Sequence, residues 1–155
     1  MAGPDPAILF ARLQLSFPEA RSFLFATVDE GRSIGPIAAG VAATMHDMGL
    51  DLRWIDVTLQ RTESKPPAGV KPLALDGSLF ANVNRLRAAL TPAGGYQVIA
   101  GGSLLHDAHS LVLSGVADAV VIGSWRGVTS RDALEQVRAD IERAGGKIAG
   151  AILLG

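Results

Sequence analysis

The fold turns on residues 23–56, FLFATVDEGRSIGPIAAGVAATMHDMGLDLRWID. This stretch opens with an apolar run of strand length, Phe23 to Val28, and passes through the polar turn Asp29-Glu30-Gly31-Arg32-Ser33. In the segment that follows, Pro36 to Met48, the residues Ile37, Val41, Met45 and Met48 recur at helical spacing. Pro36 suits a first helical turn, whose N–H groups have no internal acceptor to lose. A second apolar run, Leu52 to Val57, closes the stretch. Strand, helix and strand in this order read as two parallel strands joined by a helix packed on their sheet.

The alternation continues toward the C-terminus. Gln97 to Ala100, Ala119 to Gly123 and Ile148 to Leu154 read as further strands. Thr129 to Ala144 is the clearest helix: Thr129 with Asp132 reads as a capping pair, Ala133, Val137, Ile141 and Ala144 form its apolar stripe, and Gly145-Gly146 ends it. Arg61 to Gly77, with Pro66, Pro67 and Pro72, reads as a surface loop before a helix around Leu79 to Leu90, which Thr91 to Gly95 closes. His106, Asp107 and His109 resemble a metal or acid–base cluster but lack a clear third ligand. They read instead as the start of a helix before Leu111, with Asp107 where negative charge is favoured. Trp54 and Trp125 read as packing or interface residues.

Composition narrows the function classes. The 155 residues are 48% hydrophobic, enough for a substantial core, and carry 14 basic against 15 acidic side chains. With a net charge of -1 and no Lys/Arg run, the chain has no electrostatic footprint for nucleic acid or an anionic membrane. The absence of cysteine removes disulfides, zinc–thiolate sites and thiol catalysis together. No uninterrupted apolar stretch reaches about 18 residues, and Met1 to Pro6 lacks the basic start of a signal peptide, so a cytoplasmic protein without direct membrane insertion is expected.

Residues 23–59 resemble the P-loop region of the bacterial tyrosine kinases of capsular and exopolysaccharide synthesis, relatives of the deviant-Walker ATPases. That family reads roughly P-G-E-G-K-S-T, then A-x-N-L-A, then L-L-I-D-A-D-L-R; here Val28-Asp29-Glu30-Gly31-Arg32-Ser33-Ile34 precedes Ala38-Ala39-Gly40-Val41-Ala42 and Arg53-Trp54-Ile55-Asp56-Val57-Thr58-Leu59. Leu111 to Ile122 is similar to the family's LAGLADGVLLVV, Ile148 to Leu154 to its VLGVVLN strand, and Phe10 to Leu15 to its FRxLRTNL helix. The resemblance implies a P-loop NTPase-like three-layer α/β/α fold with a mainly parallel sheet, shortened. It would form one domain over residues 1–155, with an N-terminal helical segment over 1–21.

Where the family performs chemistry, this chain departs from it. A P-loop cradles phosphates on backbone N–H groups, reaches the β/γ oxygens with a lysine, and ligates Mg²⁺ through a Ser/Thr hydroxyl. Arg32 stands in the lysine position, and its longer planar fork does not take the place of a compact ammonium. Asp29 stands where the family has glycine, and like charges about 6 Å apart at an effective dielectric of about 20 repel by roughly 3 kcal/mol. Of two aspartates after the second strand, Asp56 remains and the other is Thr58. No acidic residue lies between Asp76 and Asp107, where the family's third strand ends in a carboxylate, and Tyr96 is the only tyrosine, so the family's tyrosine cluster is absent.

The resemblance therefore implies a non-catalytic, pseudo-kinase-like accessory or regulator of exopolysaccharide or capsule biosynthesis or export. Its expected partner is the cytoplasmic part of a membrane polysaccharide chain-length or export protein, with homo-oligomerisation, no cofactor and no catalytic residue. The alternative is a surviving nucleotide binder, slow ATPase or tyrosine autokinase. In that case Glu30, Gly31, Arg32, Ser33 and Asp56 would hold ATP, with Ser33 and Asp56 serving Mg²⁺.

Overall fold

The computed structural model of the protein describes residues 4–57, 65–90 and 95–155. Six parallel strands, β1 (Ser22–Thr27), β2 (Leu52–Asp56), β3 (Lys71–Pro72), β4 (Tyr96–Ser103), β5 (Ala119–Trp125) and β6 (Ile148–Leu154), form one sheet in the order β3-β2-β4-β1-β5-β6. Strand β1 is buried along its whole length because helices cover both of its faces. One face carries α1 (Pro6–Ser16) and α2 (Gly35–Asp47), with Phe10, Phe23, Phe25, Val41, Met45 and Trp54 in its core. The other carries α3 (Val83–Ala89), α4 (Ala108–Ser114) and α5 (Arg131–Arg143), packed over Leu24, Ile55, Ile99, Leu113, Val137 and Ile141. The sequence-based expectation of a three-layer α/β/α fold is met.

Several element boundaries differ from the sequence reading, each for a local reason. The segment read as a loop from Arg61 to Gly77 contains β3, a two-residue edge strand, followed by Leu73 donating its N–H to the Trp54 carbonyl at 2.8 Å. Pro72 is tolerated there because an edge strand has one side without ladder bonds. The helix expected over Leu79 to Leu90 is two pieces, a 3₁₀ turn (Gly77–Ala81) and α3. Asn82 separates them: its backbone is extended, and its side chain accepts from the Arg85 N–H at 3.2 Å. At the start of the 3₁₀ turn, Asp76 accepts from the Ser78 N–H at 2.9 Å, and that bond holds its carboxyl below the usual carboxylate range.

Strand β4 runs on past Ala100 through Gly101 and Gly102 to Ser103, which pairs with Thr27 of β1, and the space beside Gly101 is too tight for a side chain. A Cβ on Gly101 would lie 3.0 Å from Leu24 Cδ1 and 3.1 Å from Ser110 Oγ. The cap of α5 is Ser130, which accepts from the Ala133 N–H at 3.1 Å, and not the expected pair of Thr129 with Asp132. Thr129 is committed elsewhere, as described below. The expected stop at Gly145-Gly146 is present: Gly145 has φ 86°, and a Cβ on Gly146 would fall 2.2 Å from the Ser114 carbonyl oxygen. Thr58, Arg61 to Ser64 and Thr91 to Gly94 lie outside the described residues.

Candidate functional site

Parallel sheets place ligand sites at the carboxyl ends of their strands, where neighbouring strands send their connections to opposite faces. Here that point is the β1/β4 boundary: β1 leads to α2 on one face, and β4 leads to α4 on the other. The two strand ends are tied together across it. Ser103 Oγ donates to the Val28 carbonyl at 2.7 Å, and the Leu104 N–H donates to the Thr27 carbonyl at 2.8 Å.

The β1–α2 loop contains the residues singled out in the sequence. Gly31 adopts φ 79°, a left-handed conformation that glycine takes without strain. Glu30 and Arg32 are exposed. Ser33 is exposed as well, and its Oγ accepts from the Gly35 N–H at 3.0 Å. The N–H groups of Ile37 and Ala38 donate to the Ile34 carbonyl at 3.0 and 3.1 Å. Pro36, between them, has no N–H to offer. Ile34 is fully buried against Gly123, where a Cβ would lie 2.9 Å from Ile34 Cδ1. Helix α2 thus begins after Arg32 and Ser33, and its opening donors have protein acceptors.

The two departures from the family's loop pattern both turn toward the β5–α5 connection. The Thr129 hydroxyl donates to the Asp29 carboxylate, and the same oxygen accepts from the Trp125 N–H at 2.8 Å. Thr27 Oγ1 donates to the Asp29 carbonyl at 3.0 Å, and the Val28 N–H donates to the Gly123 carbonyl at 3.1 Å. The Arg32 guanidinium lies over the Trp125 ring, 5.9 Å from its centroid. No sequence signal points to Thr129 in this role, because 100 positions separate it from Asp29.

Asp56 ends β2, paired in register with Ala100 of β4. Because β4 separates β2 from β1, Asp56 stands two strand spacings from the strand that carries the loop, about 9.6 Å. Asp107, read in the sequence as a helix start in preference to a metal or acid–base cluster, does cap α4, accepting from the His109 N–H at 3.1 Å. It also reaches back over the end of β4. A Cβ on Gly102 would lie 3.0 Å from Asp107 Oδ2, which in turn accepts from Ser110 Oγ at 2.7 Å. His109 stacks on Phe80, with centroids 4.1 Å apart, and His106 is exposed. Among the described residues, no group of three or more His, Asp or Glu is placed to hold a metal.

A triphosphate with Mg²⁺ asks for free loop and helix-start N–H groups, a cation reaching inward and a free hydroxyl. Ser33 accepts from Gly35, Arg32 faces Trp125, and a carboxylate occupies position 29.

The architecture is an all-parallel α/β sheet layered by helices on both faces. No protein-family model and no curated protein matches the sequence. Solved structures do match the fold. The kinase domain of the Escherichia coli tyrosine kinase ETK superimposes with a TM-score of 0.75 at 15% identity, covering 97% of this chain and 74% of that one. The VpsO kinase domain gives 0.73 at 14% identity, over 96% of this chain and 92% of that one. The BceF tyrosine kinase domain gives 0.73 at 12% identity, over 97% and 75%. The family resemblance read from the sequence is thus borne out in the fold of nearly the whole chain.

Proposed function

We propose that this protein is a non-catalytic, pseudo-kinase-like accessory or regulator in exopolysaccharide or capsule biosynthesis or export. It would act by docking on the cytoplasmic part of a membrane polysaccharide chain-length or export protein. One observation carries the reading: the chain matches a tyrosine kinase domain in fold over 97% of its length, while Asp29 of its β1–α2 loop bonds to Thr129 on a distant connection. Sheet and helix packing do not require catalytic groups, so a contact surface can persist after the chemistry has gone. Among the described residues no helix is long and apolar enough to cross a membrane, so in this reading a protein partner brings the chain to it.

Self-association belongs to the same proposal. Helix α1 packs on α2 yet leaves Ile8 at 53% and Leu15 at 84% exposure, with Arg12 between them on one helical face. That stripe is the surface we assign to a second copy of the chain.

Calorimetry with ATP and Mg²⁺, run beside co-purification from solubilised membranes, tests the proposal. No measurable nucleotide binding and recovery with a polysaccharide-export component are expected. A micromolar or tighter dissociation constant would instead favour the second reading, in which Glu30, Gly31, Arg32 and Ser33 hold phosphates and Asp56 serves the metal. The left-handed backbone at Gly31 is the feature that speaks for it.

A further inference from the structure

The two substitutions that spoil the phosphate loop share a destination. Asp29 and Arg32 lie on the β1–α2 loop, and their partners are Trp125, the last residue of β5, and Thr129, four residues on in the β5–α5 connection. Thr129 Oγ1 is used twice, as donor to the Asp29 carboxylate and as acceptor from the Trp125 N–H. The Thr129 N–H also returns to the Trp125 carbonyl at 2.9 Å, so the turn presenting both partners is closed on itself. A carboxylate that would repel phosphate and a guanidinium that cannot enter a phosphate nest have each acquired an intramolecular contact.

We propose that the β5–α5 turn clasps the β1–α2 loop shut, with Thr129 and Trp125 taking up Asp29 and Arg32 in the place where the loop would otherwise meet phosphate. The clasp is a contact within the fold that fixes the loop's position against its neighbour. It rests on the reading above, in which the loop is not in nucleotide service, and it adds the reason: the loop's own side chains hold it against its neighbour. It also joins two connections at the carboxyl end of the sheet into one rigid surface.

Tryptophan fluorescence of the full chain reports on this directly. The chain has two tryptophans; Trp54 is 1% exposed, whereas Trp125 is half-buried, so acrylamide quenching reads Trp125. Thr129→Val and Arg32→Ala should each increase quenching and shift the emission to the red, and Thr129→Ser, which keeps the hydroxyl, should match the native protein. Native-like quenching in both Thr129→Val and Arg32→Ala would overturn the clasp. If Thr129→Val proves too unstable to purify, Asp29→Ala removes the same bond from the other side and is read in the same way.

Inorganic tripolyphosphate separates this proposal from the functional reading. The native protein should give no binding heat, and Asp29→Gly should give some. Binding to the native protein with Trp125 released would support the clasp, as a gate that phosphate opens, and would count against the phosphate-free function. Binding with Trp125 quenching unmoved would show that phosphate enters without opening anything, and the clasp would be wrong.

Discussion

The bond between Asp29 and Thr129 can be weighed by a double-mutant cycle. A hydrogen bond to a charged group contributes about 1.5–3 kcal/mol net, and because both residues are only half-buried the lower end, about 1.5 kcal/mol, applies here. Thr129→Val also strips the acceptor from the Trp125 N–H, which adds about 1 kcal/mol. The single variants should therefore lose about 2.5 kcal/mol for Thr129→Val and about 1.5 for Asp29→Ala, with the double variant no worse than Thr129→Val alone. The implied coupling is about 1.5 kcal/mol, well above the additivity error for independent sites. At roughly 2–4 °C per kcal/mol for a chain of this size, Thr129→Val should melt about 5–10 °C below the native protein. Urea unfolding followed by circular dichroism measures the cycle, with the dependence on urea unchanged if the native fold is kept. A coupling below about 0.5 kcal/mol would mean that the two side chains act independently, and the bond would carry no weight in solution.

Three other expectations test different parts of the molecule. Asp29→Gly with Arg32→Lys should gain phosphate or ATP binding yet give no turnover, since Thr58 and the Gly101-Gly102 region still lack the carboxylates that orient metal and nucleophile; tyrosine phosphorylation or hydrolysis by this variant would show that the missing groups were misjudged. Gln97 is fully buried with both amide atoms lacking a partner among the described residues, so Gln97→Leu should stabilise by about 1 kcal/mol, and a lower unfolding midpoint would reveal a bond to that amide. Gly146→Ala should cost about 3 kcal/mol or prevent folding, because its Cβ would meet the Ser114 carbonyl oxygen at 2.2 Å and Ile141 Cγ2 at 2.6 Å; a thermal midpoint near that of the native protein would contradict this packing.

The layered fold was legible because its signals are local. Apolar runs at Phe23, Leu52, Ala119 and Ile148 read as strands, and Ile37, Val41 and Met45 repeat at a spacing that only a helix buries on one side. What escaped was set by neighbours distant in sequence. Strand β4 continues through Gly101 and Gly102, residues that read as a strand end, to pair Ser103 with Thr27, and they are glycine where Leu24, Ser110 and Asp107 crowd the space a side chain would need. Strand β3 has two residues and no period, and exists only because β2 offers an edge. Asn82 divides a segment of helical spacing by capping its second half. Thr129 looked like a helix cap because it precedes an acidic residue at cap spacing, but the neighbouring Ser130 caps the helix and leaves Thr129 to Asp29.

The candidate site was legible in its departures and illegible in their consequences. From the sequence, Asp29 is a charge in the wrong place, costly for a loop that must approach phosphate. In the folded chain that charge has a hydroxyl partner from a connection 100 positions away, and Arg32 has an aromatic face beside it. These contacts change how the loop can be selected. A loop that had merely lost its ligand would keep bare donors and drift, whereas one whose altered residues bind each other's neighbour is stabilised in its new shape. Reversion then carries a cost, since Asp29→Gly gives up the bond to Thr129, and Arg32→Lys exchanges a guanidinium over an aromatic ring for an ammonium in a loop whose helix-start donors are already engaged.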